Sequence, residues 1–347
     1  MDAATLATAT LSALSAAGIL ALVPLLGLLR ARSAGESVRL RALLIVAGTG
    51  AVVTAIAVVT GLTGIAAPFL APAIALGALF GVVATLGVTA APLMRQIIFV
   101  LLLTAVVFVP VVSTVLTLWW DPFATGLGYL DYGVSVPIVV AAASATLGSL
   151  TVARKAIPAS PRPIRLGWSA LWLVGGIWLA MLAWLVGLEL AVDEVTPLIL
   201  VNTLSMPPAA VASSALVERV RHRRNSIAEV VYGALGGLAA AAATAAYLIP
   251  PVALVVGLVA GLLVAFVPET GAARRIALTL LVGGGSAIVL LGLVAKDVSF
   301  IYTGQPEVLF GQMLAVVLAG GAAFGLAALL WLALRPRRES FSASRGA

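Results

Sequence analysis

The chain has 347 residues, 62% of them hydrophobic and 10% charged, with a formal net charge of +7. Soluble domains carry about 25% charged residues, so there is too little polar material here to cover a water-facing surface. With no cysteine, disulfides, thiolate metal sites and thiol catalysis are excluded. The single histidine, His222, lies among Arg219, Arg221, Arg223 and Arg224 and reads most simply as a solvated loop residue. The excess of cations fits loops facing an anionic inner leaflet better than a nucleic-acid surface.

Apolar runs long enough to cross a bilayer recur from end to end. The first, from Thr5 to Leu29, follows Met-Asp-Ala-Ala-Thr and precedes Arg30 and Arg32. That start lacks the basic leader of a cleaved signal peptide, and the order of charges places the N-terminus outside. Basic residues then fall at 30–41, 95, 154–165, 219–224, 274–275 and 335–338. If all six stations lie inside, an even number of spans separates each neighbouring pair. The intervals hold two helices of ~20 residues and a turn, so one leading span and five hairpins give about eleven, with the C-terminus inside.

The outer turns read Ala66-Ala67-Pro68, Trp119-Trp120-Asp121-Pro122, Glu189 to Glu194, Pro250-Pro251 and Lys296 to Glu307. In this topology every Lys and Arg except Lys296 lies inside, and eight of the 13 acids lie outside. The expected fold class is an all-α polytopic membrane protein. The basic, proline-rich run Arg154 to Arg165 cannot continue a helix or sit in a bilayer. It divides the chain into a five-helix half (1–153), a linker (154–166), a second five-helix half (167–298), an eleventh helix (299–335) and a short inner tail (336–347). Because five is odd, the second half enters the membrane upside down, the arrangement of inverted repeats with a path between them.

Polar groups at depth are hydroxyls and amides: Ser113 and Thr114 in span 4, Ser144 in span 5, Asn202, Thr203 and Ser205 in span 7, Ser286 in span 10, Gln312 in span 11. Bundles commonly use such groups for helix–helix and backbone contacts; together they also offer a weakly polar path for a small neutral solute. No nucleophile–base set or metal-ligand spacing stands out, so neither an enzyme nor a cofactor or metal site is expected. The clusters Gly233-Ala-Leu-Gly236-Gly237, Gly257-x-x-x-Gly261 and Gly283-Gly284-Gly285 read as small-residue packing faces.

The order of motifs resembles the ammonium transporter (Amt/Rh) family. Asn225-Ser226 to Gly237, then Tyr247 and Gly257 to Gly261, is similar to that family's Pro-Ser-x-x-Gly-Ala run, Gly-Tyr turn and Ala-x-x-x-Gly. Asn202-Thr203 matches its Asn-Thr, Phe108-Val109-Pro110 its Tyr-x-Pro, and Gly128 to Gly133 the opening of span 5 with its structural acid at Asp131. Gly27 to Arg30 resembles the end of span 1, and Phe310-Gly311-Gln312 the start of span 11. The resemblance covers nearly the whole chain. It implies a homotrimer in the cell membrane with a narrow pore through each protomer, carrying ammonium or a small neutral solute, and a cytoplasmic regulatory protein as partner.

The departures bear on function. The family's paired pore histidines fall on Val139 and Leu280, so the midplane has neither proton carrier nor acceptor. The outer tryptophan falls on Leu116, with Trp119 three residues on. The span-6 motif falls on Ala183 to Leu188, with Trp184 kept and a gate phenylalanine replaced by Gly187. Phe80 is a candidate for the other gate aromatic. Such a pore is expected to pass an uncharged molecule better than a cation. The alternatives are a non-conducting relative that senses or assembles, motivated by the missing histidines and the short tail, and an unrelated eleven-span transporter.

Overall fold

A computed structural model describes residues 3–118, 129–153, 166–224 and 226–334. Eleven apolar helices run through these residues. They are α1 (Ala3–Ala34), α2 (Leu40–Val59), α3 (Ala67–Thr85), α4 (Leu93–Leu116), α5 (Val136–Val152), α6 (Ser169–Leu188), α7 (Thr196–His222), α8 (Ile227–Thr244), α9 (Pro250–Val264), α10 (Ala272–Val294) and α11 (Glu307–Ala333). Nine are long and apolar enough to cross a membrane; α5 and α9 are shorter. The two turns without charge form as expected: Pro68 lies in the first turn of α3, and Pro250 opens α9, positions where a missing N–H costs nothing.

Small residues set the close crossings. A Cβ on Gly187 of α6 would lie 2.5 Å from the Leu11 carbonyl of α1, and one on Gly18 of α1 2.5 Å from the Ala180 carbonyl of α6. These contacts run α1 and α6 antiparallel in close contact. Gly283 of α10 approaches the backbone of α8 at Gly236 in the same way. Helix pairings recur between the two sets of five. α1 packs on α3 as α6 packs on α8, and α2 on α3 and α4 as α7 packs on α8 and α9. The pairing of α3 with α5 likewise has its counterpart in α8 with α10. α11 lies against α5 and α10.

Helix ends divide by charge. Arg30, Arg39, Arg95, Arg219, Arg224 and Arg275 mark one end of the bundle; Asp131, Glu189, Asp193, Asp297 and Glu307 mark the other. Trp119, the linker from Arg154 to Arg165 and the tail from Arg335 lie outside the described residues.

Two helices depart from α geometry. α4 winds as π-helix over Thr104–Phe108 just before Pro110, and α5 opens as π-helix over Val136–Ala142. Such segments occur frequently at functional sites, and the second carries Val139.

Candidate functional site at the acidic end

The approach to α5 is not helical, yet it is buried, which a membrane fold tolerates only where protein covers the backbone. Asp131 organises it. Its carboxylate accepts hydrogen bonds from the Ser135 and Val136 amides (both 2.8 Å), the Ser135 hydroxyl (2.7 Å) and the Tyr129 hydroxyl (3.2 Å). The carboxylate thereby satisfies amides that a helix start leaves open. The Gly133 amide donates to the Ala242 carbonyl of α8 at 2.9 Å, an approach so close that a Cβ at Gly133 would collide with that oxygen. Gln312 of α11 donates to the Leu130 carbonyl at 2.8 Å. Val134 is held at φ +53°, a region costly for a β-branched residue.

This clamped segment forms one wall of a cavity of about 100 Å³. Phe69 from the start of α3, Tyr129, Tyr132 and Tyr247 line it, with Asp131 and Glu189, and Val115, Leu116, Val134 and Leu188 complete the wall. Tyr132 and Tyr247 meet edge to face at 6.4 Å between ring centres, and the Tyr132 hydroxyl donates to the Leu185 carbonyl at 2.7 Å. Glu189, just past α6, is half-buried. Burial raises its carboxyl above the ordinary value, and the nearby Asp193 adds to the rise. Aromatic faces beside a partly dehydrated carboxylate attract a small cation; each cation–π contact contributes about 0.5–2 kcal/mol.

The sequence-derived candidates fall around this cavity more than in it. Leu116 is in the wall. Phe80 lies more than two turns along α3 from Phe69 and pairs with Phe108 of α4 at 5.1 Å, both fully buried. Trp184 is buried in α6, and Gly187 is the packing glycine against α1. The acid that α6 presents to the cavity is Glu189. Asn202 ties α7 to the α8–α9 turn, its amide donating to the Ala245 (2.8 Å) and Leu248 (2.6 Å) carbonyls. The Thr203 carbonyl receives the Trp178 indole at 2.9 Å. Ser113, Thr114, Ser205 and Ser286 bond back to carbonyls of their own helices.

At mid-bundle, Val139 and Leu280 are both buried in one apolar cluster. Val139 packs directly on Gly284, where an added Cβ would lie 2.5 Å from its Cγ2; Leu280 is one turn earlier on α10. No acceptor side chain occupies either position.

Beyond them, at the basic end, stand Glu229 and Arg275, which the sequence places only on the inner side. Both are buried in the first turns of α8 and α10, paired at 2.7 Å. The Arg275 guanidinium stacks 4.4 Å from the Tyr232 ring, and the Tyr232 hydroxyl donates to Ser33 of α1 at 3.2 Å. Ser226 caps α8, accepting the Glu229 amide at 3.2 Å, and its own amide donates to Glu218 at 2.8 Å.

No protein-family model matches the chain, and no curated protein matches it in sequence. Solved structures do. Mep2 from Saccharomyces cerevisiae superposes with a TM-score of 0.81 at 15% identity, over 97% of this chain and 90% of that one. Mep2 from Candida albicans gives 0.79 at 16% identity, over 96% and 84%. A sensor Amt protein gives 0.77 at 15% identity, over 95% and 92%. The chain is a multi-helix membrane protein with the fold that Mep2 and this Amt sensor share.

Proposed function

We propose that this protein binds a small monovalent amine cation, ammonium or methylammonium, in the cavity at its acidic end and passes the neutral amine across the bundle. The observation that carries this is the cavity itself: Phe69, Tyr129, Tyr132 and Tyr247 around the half-buried Glu189 carboxylate. The cage supplies cation–π attraction, and Glu189 supplies a counter-charge. Removing an ion from water altogether costs several kcal/mol, and the Val139–Leu280 region has nothing to offset it. The cation therefore gives its proton back to the water at the acidic end, and the uncharged amine continues. The fold shared with Mep2 and the Amt sensor supports transport of this kind, and the recurring helix pairings support two inverted halves, 1–153 and 167–298, joined by the linker. The basic end then faces the cytoplasm and the N-terminus the outside, and the protein works as a homotrimer.

A second reading is favoured by the close packing of Val139 on Gly284 and by the buried Arg275–Glu229 pair beyond it. In it the cavity receives the amine as a signal and the bundle stays shut. Both readings require binding. Titrating methylammonium into the purified protein is expected to show saturable binding that Glu189→Gln weakens about tenfold, the loss of one charge-assisted contact of ~1.5 kcal/mol. Absence of binding to the native protein removes both.

A further inference from the structure

A second cavity, of about 260 Å³, adjoins the amine cavity. It lies between α4, α5 and α11, and Val115 and Tyr129 line both cavities. Tyr129 is the partition. Its hydroxyl holds Asp131 by the longest of that carboxylate's four hydrogen bonds, at 3.2 Å.

Three observations bear on what this pocket takes. The two departures from α geometry meet there: Val106 and Val107 come from the π-helical turn of α4, and Val136 opens that of α5. Such turns concentrate at functional sites, and simple helix packing does not require two of them on one pocket. From the other side α11 presents Ala315, Ala319 and Ala322, which share a helix face at i, i+4 and i+7 and leave the space between helices unfilled. Finally, the polar side chains of the lining are already engaged. The Thr114 hydroxyl donates to the Val111 carbonyl at 2.7 Å, and the Tyr129 hydroxyl donates to Asp131. An apolar cavity of this size stays dry and takes apolar molecules.

We propose that this pocket receives the hydrocarbon chain of a primary alkylamine whose ammonium group sits in the amine cavity. The proposal rests on the amine reading of that cavity and extends its ligands from ammonium and methylammonium to short n-alkylammonium ions. A four-carbon chain fits at roughly 30 Å³ for each carbon, the volume a water takes in the liquid. The ammonium group keeps the aromatic rings and Glu189, while the chain runs past Tyr129 and Val115 to lie among the valines and alanines. Each methylene taken out of water adds up to about fourfold in affinity.

Titrations of the full-length protein in detergent with methylammonium and with n-butylammonium test this. Butylammonium is expected to bind about tenfold more tightly, and Glu189→Gln to weaken both. Ala319→Leu fills the pocket from α11. It is expected to bring butylammonium back to the methylammonium level and to leave methylammonium itself unchanged. Ala322→Leu, at an exposed position of the same lining, serves the same purpose should Ala319→Leu fail to fold. Methylammonium binding with butylammonium equal or weaker, the result when a lipid or detergent chain fills the pocket, overturns the proposal and leaves the amine cavity standing. A butylammonium advantage that both leucine variants leave intact also overturns it, since the chain then lies elsewhere. Binding of neither amine removes the amine reading and this proposal together.

Discussion

Glu189 is one carboxylate on a membrane protein's rim, and its surroundings make it more than a headgroup-level charge. Burial lifts its carboxyl above the usual glutamate value of ~4.3. An amine cation binds the ionised form, so methylammonium affinity should rise with pH through a midpoint above ~4.3 and then level off. A pH series of binding titrations checks this, with Glu189→Gln expected to flatten the curve. A midpoint below the ordinary value would contradict the assignment. The sequence did not single out this residue as a binding group, because an acid at a helix end reads as an inexpensive interfacial charge. Its aromatic neighbours come from three distant segments, at Phe69, Tyr129–Tyr132 and Tyr247, with no linear spacing to betray them. Asp131 was legible as a structural acid because the residues around it, Gly128 to Gly133, form a continuous motif. Leu116 was placed through the family pattern, which was enough to mark the cavity wall.

Among the elements, charge and glycine do opposite jobs. The Arg275–Glu229 pair joins α8 to α10 in a buried setting, with side chains 3% and 8% exposed. Removing one partner leaves the other charge stranded, a loss of about 3–5 kcal/mol. Arg275→Met should therefore sharply lower resistance to denaturant, and adding Glu229→Gln should recover much of the loss. A single variant as stable as the native protein would show the pair to be solvated. In the sequence, Ser226-x-x-Glu229 is a helix-start signature, but nothing in it tells that the Glu side chain turns inward to meet α10. Glycines can be separated in the same way. Gly187→Ala forces α1 and α6 apart and should cost about 1–3 kcal/mol. Gly175→Ala on the same helix meets nothing within 4 Å and should be neutral or stabilise by up to about 1 kcal/mol. Similar effects at the two positions would show that the α1–α6 contact is not tight.

At the scale of the whole molecule, the number of spans was legible because it follows from parity. Basic stations at near-regular intervals require pairs of helices between them, and the described residues hold nine span-length apolar helices and two shorter ones. The two spans that fall short, α5 and α9, do so for physical reasons: Asp131 holds seven residues before α5 in a buried turn, and Pro250 fixes where α9 can begin. What lies inside the bundle was less legible, since packing decides it. Val139 and Leu280 were readable as apolar residues; that Val139 closes onto Gly284, and that an ion pair stands beyond, depends on which helix faces meet. On the proposed function the bundle conducts the neutral amine and bars its cation. Vesicles reconstituted with the protein, recorded for luminal pH and membrane current under an ammonium gradient, test this directly. The expected result is protein-dependent alkalinisation without current, reduced by Glu189→Gln. A sustained current that scales with ammonium would contradict it.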